Sequence, residues 1–216
     1  MNFLIGMEEL KRFFFLLPSF YLKLNYSSNK FGGKMKKIDD IKLGKFISLI
    51  LRHDPSIIKA TLDKHGWLDV DKLINGIKFS GRYIDMNILE RVVKENNKNR
   101  YSFNEDKTKI RANQGHSVDV DVELKIVEPP QILYHGTVEC FLESITEKGI
   151  LKGNRQYVHL SEDRETAVNV GKRHGIPVVL VINSKEMIND GIVFYLSENG
   201  VWLCNSVPYK YIIKIS

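Results

Sequence analysis

Six short polar stretches of the chain carry side chains suited to chemistry: "LRHDP" from Leu51, "NNKNRYSF" from Asn96, "RANQGHS" from Arg111, "LYHGT" from Leu133, "VHLSED" from Val158 and "VGKRHG" from Val170. Arginine, histidine and hydroxyl groups recur in them. Arginine grips phosphate bidentately and stays charged in any site, and histidine titrates near neutral pH. There is no HExxH, no GxxxxGK[ST] and no carboxylate grouping with metal spacing, so no metal is expected. Chemistry on a phosphate would then draw its positive charge from the protein. A GxGxxG turn is also missing, so a dinucleotide, if bound, is not held by a Rossmann loop.

Taken singly, each stretch has a plain reading. Leu43, Phe46, Ile47, Ile50 and Leu51 form one buried helical stripe, which Asp54-Pro55 stops. Arg52 and His53 at its end would then only complement the helix macrodipole. Arg100 reads as a solvated strand arginine, His116 as a turn histidine, His159 as a satisfied core residue and Arg111 as an auxiliary or structural cation. Glu198 precedes a glycine turn and receives no role.

The elements that must position these groups fall into two lobes, an α+β chain overall. From Asp39 a helix is followed by two more, in "VDKLINGI" with Asp69 or Asp71 as N-cap and in "DMNILERVVKENN", and then by a hairpin turning at Asn104–Lys107. Three helices closed by a hairpin is the winged-helix plan. The stiff "VEPPQ" marks the boundary, dividing residues 39–126 from 127–216. Beyond it, "ILYHGT", "YVHLSED", "PVVLVIN", "IVFYLSENGVWLC" and "YKYIIKI" read as strands. Two helices between them are expected to stop at Gly149 and Gly175.

Composition is that of a globular protein: 216 residues, 43% hydrophobic, 27% charged, with a net charge of +6 that favours a polyanionic partner. Cys140 and Cys204 form neither a CxxC pair nor a disulfide framework, and are expected to be small buried residues in a reducing cytoplasm. Residues 1–38 read as an extension and linker: a Phe-rich start broken by charges and Pro18, then a polar stretch containing Met35, itself a possible start. No apolar run is long enough to span a membrane.

Together and in this order, "LRH", "NNKNRYSF", "QGHS", "HGT", "VHLS" and "GKRHG" resemble the RNA 2′-phosphotransferase family, over roughly Lys42 to Ile215. The resemblance implies a winged-helix lobe followed by an ADP-ribosyltransferase-like lobe. It also implies a reaction that consumes NAD. The RNA 2′-phosphate displaces nicotinamide to give 2′-phospho-ADP-ribosylated RNA, and the ribose 2″-hydroxyl then takes the phosphorus. The products are 2′-hydroxyl RNA of the tRNA splice-junction type and ADP-ribose 1″,2″-cyclic phosphate. The family's catalytic set falls on Arg52, His53, Arg100 and Arg173. Its NAD-binding positions fall on His135, Gly136, Thr137 and Ser161 for the nicotinamide ribose, and on Gly115, His116 and Ser117 for the adenosine side.

A monomer acting in the cytoplasm on 2′-phosphorylated RNA is expected. Two rival readings are a winged-helix nucleic-acid-binding regulator and an ADP-ribosyltransferase acting on protein or nucleic-acid ends.

Overall fold

The computed structural model describes residues 32–96 and 98–216, with side chains from residue 40 on. The reading of the Phe-rich start therefore lies outside the described residues. The chain divides into two compact units, Met1–Asp40 and Ile41–Ser216, and the site lies in the second.

Helix α1 runs from Gly32 to Arg52, so its first turns occupy what reads in sequence as the end of the polar linker. Apart from its two opening glycines and Gly44, it lacks helix breakers. Its stripe of Leu43, Ile47, Ile50 and Leu51 is buried. Strand β1 (Leu68–Asp69) leads into α2 (Val70–Phe79), capped by Asp69 rather than Asp71, with the Asp69 carboxylate accepting from Lys72 N at 2.9 Å. Helix α3 (Met86–Lys94) is capped by Asp85 through Ile88 N at 2.8 Å. Each cap is worth about 1 kcal/mol. Strands β2 (Tyr101–Phe103) and β3 (Lys109–Ala112) form the expected hairpin, and β1 adds to the far side of β3. Helices and sheet enclose one apolar core, from Leu43 to Ala112.

The second core, from Leu133 to Tyr211, belongs to β4 (Lys125–Ile126), β5 (Ile132–Val138), α4 (Leu142–Lys148), β6 (Ile150–Leu151), β7 (Val158–Leu160), α5 (Arg164–Gly171), β8 (Pro177–Asn183), α6 (Ser184–Asn189), β9 (Tyr195–Leu196), β10 (Trp202–Cys204), β11 (Ser206–Val207) and β12 (Ile212–Ile215). Antiparallel sheets of order β12-β8-β5 and β4-β9-β10-β7 are bridged where Tyr134 and Ser161 exchange backbone hydrogen bonds, both 2.8 Å.

Gly149 ends α4 at φ 73°, as a glycine stop should. Helix α5 ends four residues before Gly175, and Arg173 and His174 form a turn beyond it. The early end has a packing cause: a Cβ at Gly171 would stand 2.8 Å from Thr137 O and 2.9 Å from Pro177, so the helix terminates hard against β5 and β8. Cys204 is buried, but Cys140 is exposed, contrary to expectation, because it lies in the short 3₁₀ turn that caps the end of β5. No helix among the described residues is long and apolar enough to cross a membrane.

Candidate active site

The end of α1 is built by a loop 65 residues away in sequence. Arg52 O, one of the carbonyls a helix terminus leaves without a partner, accepts from Ser117 N at 2.9 Å and from Val118 N at 3.4 Å. Ser117 Oγ lies 3.0 Å from His53 Nδ1, fixing the ring. Gly115 holds φ +88°, and a Cβ there would stand 3.5 Å from Arg52 Nη1, so the loop lies against the guanidinium. Between them His116 is turned inward, 1% exposed, with neither ring nitrogen hydrogen-bonded within the protein.

Arg52 is the focus of this arrangement. Its Nε and Nη2 are buried without a hydrogen-bond partner. Burial brings its pKa down to about 10; Tyr101 opposes the shift, and Arg100 and Arg155 add to it. His53 is held below the ordinary imidazole value by partial burial, then by Arg52 and Arg155. Tyr101, whose hydroxyl is shared between Ser48 Oγ and Gly44 O on α1, ties β2 to the helix.

Arg100 precedes β2 and is fixed on both sides. Its carbonyl accepts from Asn113 N at 2.9 Å and its Nη1 donates to Asn96 Oδ1 at 2.8 Å. Lys98 is depressed by burial, then by Arg173 and Arg100. Arg155 is depressed by burial, then by Arg173. Arg52, Arg100, Arg155, Arg173 and Lys98 thus form one chain of mutually repelling cations, with His53 beside it.

Beside this group, His135 Nδ1 lies 3.0 Å from His159 O, and His159 Nε2 lies 2.8 Å from Gln114 Oε1. Burial is the main cause that lowers His159 to about 3, His116 to about 4 and His135 below its ordinary value, so all three are neutral at pH 7. Gly136 faces α5: a Cβ would stand 1.8 Å from Ala167 O. Thr137 is buried beside it, and Ser161 lies at the bridge to Tyr134.

The four arginine and histidine positions singled out in the sequence therefore converge, with Gly115 and Ser117 packed on them. His116, Gly136 and Thr137 are interior. Two cations escaped the sequence reading. Lys98 stood unremarked inside "NNKNRYSF", and Arg155, in an ordinary turn, gave no signal. Glu198, left without a role, accepts from Ser102 Oγ at 2.9 Å and from Arg111 Nη2 at 3.2 Å, and Asn199 Nδ2 donates to Lys98 O at 2.9 Å. Arg111 also stacks over Trp67 at 4.5 Å, so it is a structural cation. Among the described residues no group of three His, Cys, Asp or Glu side chains could hold a metal ion.

The profile of the family described as "RNA 2'-phosphotransferase, Tpt1 / KptA family" matches residues 38–206. The chain belongs to this family. Curated proteins named "Probable RNA 2'-phosphotransferase" resemble it over nearly their whole length. One from Fusobacterium nucleatum subsp. nucleatum is 59% identical over 175 residues, 81% of this chain and 98% of that protein. Another from Flavobacterium johnsoniae is 52% identical over 170 residues, 79% of this chain and 93% of that protein. A third, from Rhodopirellula baltica, is 47% identical over 173 residues, 80% of this chain and 94% of that protein. The cation cluster lies within the span matched to the RNA 2′-phosphotransferase family.

Proposed function

We propose that this chain removes an internal 2′-phosphate from RNA in an NAD-dependent reaction, with a winged-helix lobe at 39–126 and an ADP-ribosyltransferase-like lobe at 127–216. The observation that carries the reading is the Arg52 guanidinium, buried with two nitrogens unpartnered and with Arg100 and Arg155 repelling it. Burying an unpaired charge among like charges is costly. A phosphate monoester, carrying between one and two negative charges at pH 7, removes that cost.

The proposed reaction assigns these roles. Arg52 and Arg100 bind the 2′-phosphate, bidentate contacts that orient it. Arg173, with Arg155 beside it, supplies charge where negative charge grows on the transferring phosphoryl group, the place where fixed cations act most strongly. In the tautomer with its proton on Nε2, neutral His53 accepts the Ser117 hydroxyl at Nδ1, 3.0 Å away. That proton serves a phosphate oxygen or the departing 2′-oxygen.

The residues present also fit a dinucleotide. Orphaned buried donors on Arg52 suit anionic groups, and the bare Gly136 lets α5 close on β5 so that the Arg173 turn lies against the strand bearing His135. His135, Gly136, Thr137 and Ser161 would frame the nicotinamide ribose, and Gly115, His116 and Ser117 the adenosine side, with His116 contributing through its backbone. When bound, NAD supplies an anomeric carbon whose nicotinamide leaves. The protein is read as a monomer working in the cytoplasm.

The test is RNA with one internal 2′-phosphate, incubated with and without NAD and with excess EDTA, with products identified by mass. Conversion to 2′-hydroxyl RNA with nicotinamide release, only with NAD and unaffected by EDTA, is expected. RNA that retains ADP-ribose as end product would favour the ADP-ribosyltransferase reading instead.

A further inference from the structure

Phe79 closes α2 with its side chain 84% exposed, and Tyr83, just past the following turn, is 79% exposed. A single exposed apolar residue is ordinary, but two large aromatics four residues apart form the kind of exposed patch that marks an interaction site. Gly81 between them, at φ +83°, has nothing within 4 Å of where a Cβ would be, so the turn projects into open space. Cations interleave the aromatics: Lys59 Nζ lies 5.4 Å from the Phe79 ring centroid, Lys78 precedes Phe79, and Arg82 Nη1 donates to Ser80 Oγ at 3.1 Å. Asp85, an N-cap with Tyr83 OH donating to it at 3.4 Å, is the acidic side chain recorded against this turn.

We infer that this turn is a docking platform for the single-stranded RNA flanking the reacting nucleotide. Open aromatic faces stack on any base, and alternating cations meet the phosphates between bases, the pairing that sequence-independent strand binders use. Protein interfaces also favour aromatics and arginine but are depleted in lysine, whereas Lys59 and Lys78 flank Phe79 here. The platform is also near enough to matter. Lys59 lies six positions after His53, so their backbones lie within about 21 Å even for a fully extended chain. That span equals about six stacked nucleotides at roughly 3.4 Å each. The 3₁₀ turn Pro55–Ile58 between them shortens the path further.

The inference rests on the RNA-acting reading above, and the test separates the two. Two substrates are compared: a 2′-phosphorylated dinucleotide, too short to reach the turn, and a 15-nucleotide RNA with one central 2′-phosphate. In the Phe79→Ala/Tyr83→Ala variant, KM for the 15-mer is expected to rise about tenfold with kcat unchanged, while both constants for the dinucleotide stay at parent values. Lys59→Ala should lower the salt dependence of 15-mer binding by about one phosphate contact.

Fluorescence anisotropy with the same 15-mer gives Kd whether or not turnover occurs. If the parent turns over neither substrate, the functional reading fails while the platform is still judged by Kd. Unchanged Kd and KM for the 15-mer would overturn the inference. So would equal losses on both substrates, or a change in oligomeric state marking the turn as a contact between copies of this chain.

Discussion

Arg111 Nη2 donates to Glu198 Oε1 at 3.2 Å, joining β3 of the first core to the β9–β10 turn of the second. The same carboxylate accepts from Ser102, which pairs with Arg111 across the hairpin, and the neighbouring Asn199 holds Lys98 O. Arg100 lies between Lys98 and Ser102, so one turn grips the chain on both sides of it. Glu198→Ala should cost only about 1 kcal/mol, since Glu198 is half exposed and Arg111 keeps Glu123 and Trp67. Activity should nonetheless fall at least tenfold, with Glu198→Gln retaining more. A melting curve with steady-state rates on 2′-phosphorylated RNA checks this, and a variant as active as the parent removes the turn from any part in placing Arg100.

Gly136 and Gly44 make a contrasting pair. An alanine Cβ at 136 would sit 1.8 Å from the backbone carbonyl of Ala167, which has no flexible end to yield. Gly136→Ala is therefore expected to cost about 3 kcal/mol or more and to lower Tm by roughly 10 °C for a chain of this size. At Gly44, inside α1, the Cβ meets Val92 at an ordinary 3.6 Å, so Gly44→Ala should be neutral or stabilising by up to about 1 kcal/mol. Calorimetry of both variants distinguishes a packing limit from a general intolerance of alanine.

Acid should unfold the protein from a window set by its buried histidines. His116 is held to about 4 and His159 to about 3, so between pH 6.5 and 4 the unfolded chain binds protons that the folded chain refuses. Stability is then level above about pH 7 and declines as pH falls through that window. At about 1.4 kcal/mol per decade for each ring, the two together approach 3 kcal/mol per pH unit. Asp63 and Asp163, held below the ordinary carboxylate range, add their loss only near pH 4 and lower. Urea melts at pH 7.5, 6 and 5 measure the slope, and His116→Asn should flatten it by less than half, since His135 and His53, also held below their ordinary value, keep their share.

Arg173 stands in an exposed turn while Arg52 and Arg100 are anchored to the first core. Arg173→Ala should therefore spare binding of the 2′-phosphate and slow phosphoryl departure, where loss of one charge-stabilising donor costs about 2.7–4 kcal/mol. A time course with adenine-labelled NAD should show label accumulating on the RNA, a species the parent consumes too fast to see. Slower substrate loss without labelled RNA would assign Arg173 to an earlier event.

Periodic and punctuated segments were readable from sequence. The α1 stripe, the Asp69 cap, the turn at Asn104–Lys107 and the apolar runs of β5 and β8 all stand where residue spacing puts them. Two-residue strands such as β6 and β11 carry no period, since their register is set by tertiary pairing. The candidate site was legible as an ordered set of motifs because short runs of arginine and histidine stand out between apolar segments. Arg155 was not, because a cation in a turn looks the same whether it faces solvent or other arginines. The inward turn of His116 also leaves no mark, since the Gly115 backbone angle that directs it is a property of the folded loop.

The hydrogen bonds from Ser117 and Val118 to Arg52 O have a consequence for how the protein comes to be active. Helix α1 can form early from local contacts, but the carbonyl beneath its two reactive side chains waits for a segment 65 residues further on. Closing a loop of that length costs entropy before any contact repays it. Ordering of the Arg52–His53 pair should therefore come late in folding, after the first hydrophobic core has collapsed. Mutations at Ser117 would then speed unfolding while leaving the folding rate almost untouched.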